Sequence, residues 1–459
     1  LANIIPIRGL RYNPAKESDM AVLVTPPYDV IDAAAQDNYY RKNPHNVIRL
    51  EYGKIYTTDN ETDNRYNRAA AAFTAWQEEE ILLPEDNPAL YLYEQEFTIA
   101  GEKKVRTGFI CGVQIEPYSK GVVLPHEETL PKHKADRLAL MHACRANFSP
   151  IFGLYADPER AVDNLLKTTK AHRPQVDFVD ESGQTHRLWV ITDTQIIQKV
   201  QEIMQKQRIF IADGHHRYET ALNYRNERRN EDNAISPGTP DDKLQEPINE
   251  KYPAAPYNYV MMTLVNLYDP GLVVLPTHRL VKNVPNFKTE EFLTKLQAEF
   301  NFEEFKLSTG KDNFKEFLNL LAIRGEMEQP KHKHAFGLYT GKGLYIITLK
   351  ESTDFTKYMP EDKSPDWCGL DVSVLHSLIM ERYLGIGGEQ RANEGNLTYT
   401  REEAGALELV DSGEYQLAFF MNPTRVEEVT AVAANGEKMP QKSTFFYPKL
   451  ITGLVINKL

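Results

Sequence analysis

The chain has 459 residues, of which 41% are apolar and 26% charged, a balance that excludes disorder, collagen and coiled coil as descriptions of the whole. That length predicts two or three domains with cores large enough to need no disulfide or metal. Lys and Arg total 53 against 65 Asp and Glu, and the net charge of −12 disfavours general attraction to nucleic acid or anionic lipid while leaving room for a local basic pocket.

The three cysteines, Cys111, Cys144 and Cys368, are odd in number and widely spaced, as expected of buried thiols in a reducing compartment. No apolar run is long enough for a membrane helix, and Leu1–Tyr12 carries no secretory pattern, so the expected location is cytoplasmic. Leu1–Val30 reads as strands and turns, because Pro26-Pro27-Tyr28-Asp29 is incompatible with a helix interior. Helical spacing covers Ala69–Glu80, and two strands, Ala89–Ile99 and Lys104–Ile115, flank a hairpin turn at Gly101-Glu102. A short strand at Gly121–Leu124 precedes a helix over Ala135–Asn147. Strands at Ile151–Tyr155 and Leu188–Thr192, a helix at Thr194–Gln207 and a strand at Arg208–Ala212 follow, with a helix opening near His215.

Asn226–Tyr257 is polar and Pro-rich and reads as an insertion or linker. Beyond it come a strand at Val260–Leu267 and amphipathic helices at Phe292–Phe300 and Phe314–Ile323. A hairpin over Ala335–Lys350, a helix over Val372–Leu384 and strands at Gln416–Met421 and Ile451–Ile456 complete the reading. Interspersed strands and helices predict an α/β or α+β fold on a mixed sheet.

The most informative stretch runs from the apolar strand Arg208–Ala212 through Asp213 and Gly214 into a helix opening with His215, His216 and Arg217. The first N–H groups of a helix lack internal partners and its dipole favours negative charge, so this arrangement suits a phosphate. Gly214 allows close approach to the backbone, and Arg217 offers a forked donor. Asp213 is placed to hold Mg²⁺ or orient a hydroxyl. The bland alternative is an Asp N-cap followed by a tight turn.

A second segment, Leu124–Leu138, sets His126, Glu127 and Glu128 after a strand, then Lys132, His133, Lys134 and Arg137 on the way into a helix. A carboxylate here can take a proton from an attacking hydroxyl, and His126, Lys132 and Arg137 can meet phosphates. The competing reading is a solvated turn with ordinary surface charges.

These two segments resemble the ParB/sulfiredoxin-like superfamily of phosphate-binding proteins, Asp213–Arg217 matching its nucleotide-phosphate element. His126-Glu127 is similar to the upstream element of the superfamily's free-serine kinases, which phosphorylate L-serine with ADP or ATP. The whole chain looks like the domain-of-unknown-function 1015 family. That likeness rests on Pro26–Ile31, Asn43–Leu50, Asn147–Phe152, Leu275–Arg279 and Met439–Phe445.

The resemblance implies a nucleotide-dependent phosphotransferase acting on a small hydroxyl metabolite, with ATP or ADP and Mg²⁺. Glu127 would be the general base and Asp213 the metal or phosphoryl ligand. Gly214, His215, His216 and Arg217 would sit on the nucleotide phosphates. The implied domains are an N-terminal α/β segment at 1–100, a ParB/sulfiredoxin-like core at 101–225, the linker at 226–257 and a C-terminal α/β half at 258–459. The spacing of 86 residues from Glu127 to Asp213 exceeds that in compact serine kinases, so serine itself is an expectation of class.

Weaker candidates are Asp29 in the Pro-Pro-Tyr-Asp turn, Arg49, which on an alternating strand would otherwise be a solvated arginine, His278 and Arg279 after a Pro turn, and Lys442, Ser443 and Thr444 as phosphate ligands, with Lys449 similar. The alternative to an enzyme is a nucleotide-binding switch or partner-binding module, as in the CTP-binding ParB branch, which has no need of Glu127. The sequence has no Walker-A pattern and no GxSxG elbow, which disfavours a P-loop kinase and an ordinary α/β-hydrolase.

Overall fold

A computed structural model describes residues 1–127, 129, 131–235, 255–326, 334–388, 390 and 395–459, the side chains of 131–133, 233–235 and 326 excepted. The chain forms two compact units: Leu1–Val273 with Pro448–Leu459, and Val274–Tyr447. None of the described helices is long and apolar enough to cross a membrane. All three cysteines are free thiols.

The first unit is a mixed α/β structure around a nine-stranded sheet. Its strands are β1 (Ile4–Ile5), β2 (Leu90–Ile99), β3 (Glu102–Gln114), β4 (Val123–Leu124), β5 (Ile151–Tyr155), β6 (Val176–Val179), β7 (Thr185–Ile191), β8 (Ile209–Asp213) and β9 (Tyr259–Asn266). Their order is β4-β8-β5-β9-β3-β2-β7-β6, with β1 continuing alongside β3 beyond the end of β2. β2 and β3 form the expected hairpin, Ile99 facing Glu102 across the turn. Every residue of β5 and β9 is buried, as a strand covered on both faces must be.

Helices α1 (Ala33–Lys42), α2 (Ile48–Glu51), α3 (Arg65–Glu78), α4 (Pro131–Cys144), α5 (Ala161–Lys167), α6 (Thr194–Met204) and α7 (His215–Ile235) complete the unit. Asn64 caps α3 by accepting from the N–H groups of Tyr66 and Asn67. Phe73 and Trp76 then bury one face of that helix against Leu140, Cys144 and Phe148. Val200 and Met204 of α6 join Leu90, Trp189 and Ile191 in the main core. Each such large side chain contributes roughly 1.5–3 kcal/mol on burial.

The tail 448–459 returns to this unit. Thr452 and Thr25 exchange backbone hydrogen bonds, and Asn457–Lys458 pairs with Ala146–Asn147.

The second unit is built on a six-stranded antiparallel sheet: β10 (His278–Val281), β11 (Phe300–Phe305), β12 (Ala335–Tyr339), β13 (Leu344–Leu349), β14 (Leu397–Thr400) and β15 (Leu417–Phe420). The order is β11-β13-β12-β15-β10-β14. Phe314, Phe317 and Leu321 cover one face, while Leu375, Leu378 and Ile379 belong to the core on the other.

Several expectations are corrected. β9 pairs with β3 and β5 inside the first sheet, so the boundary expected at 258 cuts through the first unit. The expected linker begins as helix, since α7 continues to Ile235, and its residues 236–254 lie outside the described residues. Arg49 lies in the short helix α2, not on an alternating strand. Phe292–Phe300 divides into a helix ending at Leu296 and strand β11.

Candidate functional site

The two motif segments converge because β4 and β8 are adjacent and parallel, Val123 facing Ile209 and Leu124 facing Phe210. Parallel neighbours deliver their following loops to one edge of a sheet. β4 therefore releases His126-Glu127 beside the point where β8 releases Asp213-Gly214. Two hydrogen bonds lock the junction. His126 Nδ1–H donates to the Ile211 carbonyl at 2.7 Å, and the His126 backbone N–H donates to His215 Nε2 at 3.2 Å. The two imidazoles meet edge to face at 4.7 Å. This network assigns the proton to Nδ1 in both rings. Burial depresses His126 to about 4, so it is neutral at physiological pH.

Gly214 adopts φ +95, a left-handed conformation that side chains resist, and a Cβ there would lie 3.0 Å from the Arg217 guanidinium. The turn brings Arg217 back over Asp213. Arg217 Nη2 donates to Asp213 Oδ2 at 2.8 Å, and Lys449 from the returning tail donates to Asp213 Oδ1. Burial alone would raise the Asp213 carboxyl, but Lys449 and Arg217 outweigh it and hold it down at about 2. Asp213, Arg217 and Lys449 keep 14%, 11% and 16% exposure, so the cluster is recessed yet reachable.

Behind Arg217 lies a buried layer. Its Nη1 donates to the Pro150 carbonyl at 2.7 Å and to Ser149 Oγ at 3.2 Å, and Ser149 Oγ donates to Glu51 Oε1 at 2.9 Å. Arg137 grips the same glutamate, donating to its carbonyl at 2.8 Å, and pairs with Asp136. Tyr28 lies under Arg137, ring centre 4.0 Å from the guanidinium carbon, and burial pushes its hydroxyl up to about 12. A cavity of about 40 Å³, room for one or a few waters, is lined on its polar side by Glu51, Arg137, Ser149 and Arg217.

A third cation, Arg106 on β3, adjoins the cluster. It donates to Gln95 Oε1, and Gln95 Nε2 donates to the Lys449 carbonyl at 2.9 Å. On the far side, Thr129 and Lys134 both donate to Glu219 Oε2, at 2.6 and 2.9 Å, tying the start of α4 to α7.

Of the expected residues, His126, Glu127, Asp213, Gly214, His215, His216 and Arg217 share this sheet edge, with Glu127 and His216 half-buried. Lys132 is in the first turn of α4, but its side chain lies outside the described residues, as does Glu128. Arg137 is turned inward onto Glu51 and Asp136, so it supports the site from behind instead of facing a phosphate. Asp29 is exposed on a 3₁₀ turn. Arg49 donates to the Tyr40 carbonyl at 3.0 Å and stacks on that ring, which makes it a packing residue. His278, Arg279, Lys442, Ser443 and Thr444 belong to the second unit. Glu51, Ser149 and Arg106 are the members that sequence reasoning missed.

A family model described as "Protein of unknown function (DUF1015)" matches residues 4–373. None of the curated proteins matches. Among solved structures, a conserved hypothetical protein from Pyrococcus furiosus is similar at 14% identity, 72% coverage of this chain, 89% of that chain and a TM-score of 0.31. A free serine kinase in complex with AMP gives 14% identity, 71% and 84% coverage and a TM-score of 0.31. SbnI with a C-terminal truncation, from Staphylococcus aureus, gives 10% identity, 76% and 87% coverage and a TM-score of 0.32.

Proposed function

This chain belongs to the family described as "Protein of unknown function (DUF1015)", and we propose that it is a nucleotide-dependent phosphotransferase acting on a small hydroxyl-bearing metabolite. The observation that carries this reading is the convergence of His126-Glu127 and Asp213–Arg217 on one sheet edge through adjacent parallel strands. There the N-terminus of α7 and the guanidinium of Arg217 provide donors for phosphate oxygens, and Lys449 adds a second cation.

Phosphoryl transfer asks mainly for positioning and for neutralisation of charge on the moving group. Glu127, directly after the locked His126, takes the proton of the acceptor hydroxyl. Gly214, His215, His216 and Arg217 receive the nucleotide phosphates. The resemblance to free-serine kinases names ADP or ATP as donor and L-serine as the acceptor to try first.

Asp213 does not fit as the holder of a magnesium ion. Arg217 and Lys449 span both its oxygens, and no cluster of three metal-binding side chains occurs among the described residues. We assign Asp213 instead to fixing those two cations at the spacing a phosphate needs. Mg²⁺ belongs to this reading as a companion of the nucleotide, since it keeps several waters and binds phosphates with few protein ligands.

The test separates turnover from binding. Glu127→Gln is expected to abolish phosphotransfer while ADP affinity stays within about twofold of the parent, as for a base that acts only on the acceptor. Equal loss of turnover and affinity contradicts the assignment. Saturable nucleotide binding without any turnover in the parent favours a nucleotide-binding switch.

A further inference from the structure

We propose that the second unit contains an anion-binding centre around Arg279, which takes the phosphate or carboxylate group of a small metabolite. Arg279 sits on β10 opposite Tyr399 of β14 and Phe419 of β15, and it is 1% exposed. Among the described residues it makes no ion pair, and no carboxylate offsets its charge. Two backbone carbonyls accept from it: Thr277 from Nη1, and Lys442 from Nη2 at 3.1 Å. A guanidinium has five N–H donors. Its Nε–H is buried and meets no acceptor among the described residues, and the ring of Tyr399 lies 5.5 Å from the guanidinium carbon.

A buried charge of this kind is costly unless a counter-charge meets it. Arg137 answers Glu51 and Asp136, and the half-buried Arg217 answers Asp213. Arg106 and Arg225, also buried, make no ion pair among the described residues, but carboxylates lie near each, Asp269 and Asp213 for Arg106 and Glu116 for Arg225, whereas the group beside Arg279 is Tyr399. Two more basic residues lie on the elements around Arg279. Lys442, whose carbonyl it holds, has φ +58, a left-handed conformation that is strained for a non-glycine residue and recurs at ligand-holding loops. Arg401, two residues beyond Tyr399 and exposed, stacks at 3.8 Å on Phe445 of the same loop.

The neighbouring His278 does not supply the missing counter-charge. Successive strand residues face opposite sides. His278 Nδ1 accepts from the Met421 N–H at 3.1 Å, and its Nε2 lies 3.8 Å from Glu403. A forked, planar donor set with no acid of its own is matched by an oxyanion.

The experiment uses the full chain in an Arg217→Gln background, so that the phosphate site of the first unit is silenced. Melting is followed against sodium phosphate in one arm and sodium succinate in the other, at constant ionic strength with chloride. The parent is expected to melt about 2 °C or more higher with at least one of the two anions. The responding arm names the group. Arg279→Met should lose that rise. Arg279→Lys, which keeps the charge without the fork, should keep less than half of it and serves if the methionine variant does not fold. A rise that persists undiminished in both variants, or no rise with either anion in the parent, overturns the proposal.

Discussion

Replacing Asp213 with asparagine removes the one carboxylate that Arg217 and Lys449 share. The Asp213 carboxyl titrates at about 2 against an ordinary 3.8. At ~1.4 kcal/mol for each tenfold change in proton affinity, that is on the order of 2 kcal/mol of stability at pH 7. A pKa depressed by folding stabilises above the unfolded value and loses its effect as pH falls toward the folded one. The contribution is therefore whole above about pH 5, roughly halved at pH 3 and nearly gone below about pH 1.5. Two cations left without their carboxylate add to the loss, so Asp213→Asn is expected to cost about 2–4 kcal/mol at pH 7.

Urea unfolding, followed through Trp76 and Trp189 of the first unit in a Trp367→Phe background, measures the gap between parent and variant at pH 7 and at pH 3. The gap should fall by about 1 kcal/mol between the two. A gap below about 0.5 kcal/mol at pH 7, or one that does not change with pH, refutes the claim that these cations are held by Asp213.

Four further outcomes follow from the same geometry. Arg217→Ala should weaken ADP binding at least tenfold by calorimetry, whereas Arg137→Ala should act chiefly on stability, by about 3–5 kcal/mol in urea, because it strands the buried Glu51. Gly214→Ala should cost about 1 kcal/mol or more, since alanine resists φ +95 and its Cβ would crowd Arg217, and ADP affinity should fall with it. Ser149→Ala should leave the fold intact and raise KM for the nucleotide more than it lowers kcat, a split that marks a residue steadying Arg217 from behind.

The strand–turn–helix from Ile209 to Arg217 was legible in the sequence because its signals are local: an apolar run, an Asp-Gly turn and a helix start. The β2–β3 hairpin was legible for the same reason. The partners of Arg217 were not, because Ser149 and Glu51 reach it from distant segments and nothing in their neighbours' periodicity marks them. Arg49 was misread because Val47, Ile48 and Leu50 are compatible with a strand. In the structure the Asn46 side chain accepts from the Ile48 N–H and turns the chain into a helix. Ile451–Ile456 has a strand's composition but makes only isolated bridges at Thr452 and Ile456, since Gly453 at φ +104 interrupts the extended backbone. Arg106 and Arg279 carry no sequence signal of burial at all. A strand arginine usually faces water, and only the sheet order shows these two to be enclosed.

The most direct measurement is product formation. The purified chain is incubated with Mg²⁺, ATP or ADP, and a pool of small hydroxyl metabolites including L-serine, and mass spectrometry follows the mixture. A new phosphorylated metabolite, made by the parent and lost in Glu127→Gln, is the result predicted here and names the acceptor. The absence of both a phosphorylated product and saturable binding of either nucleotide would contradict it.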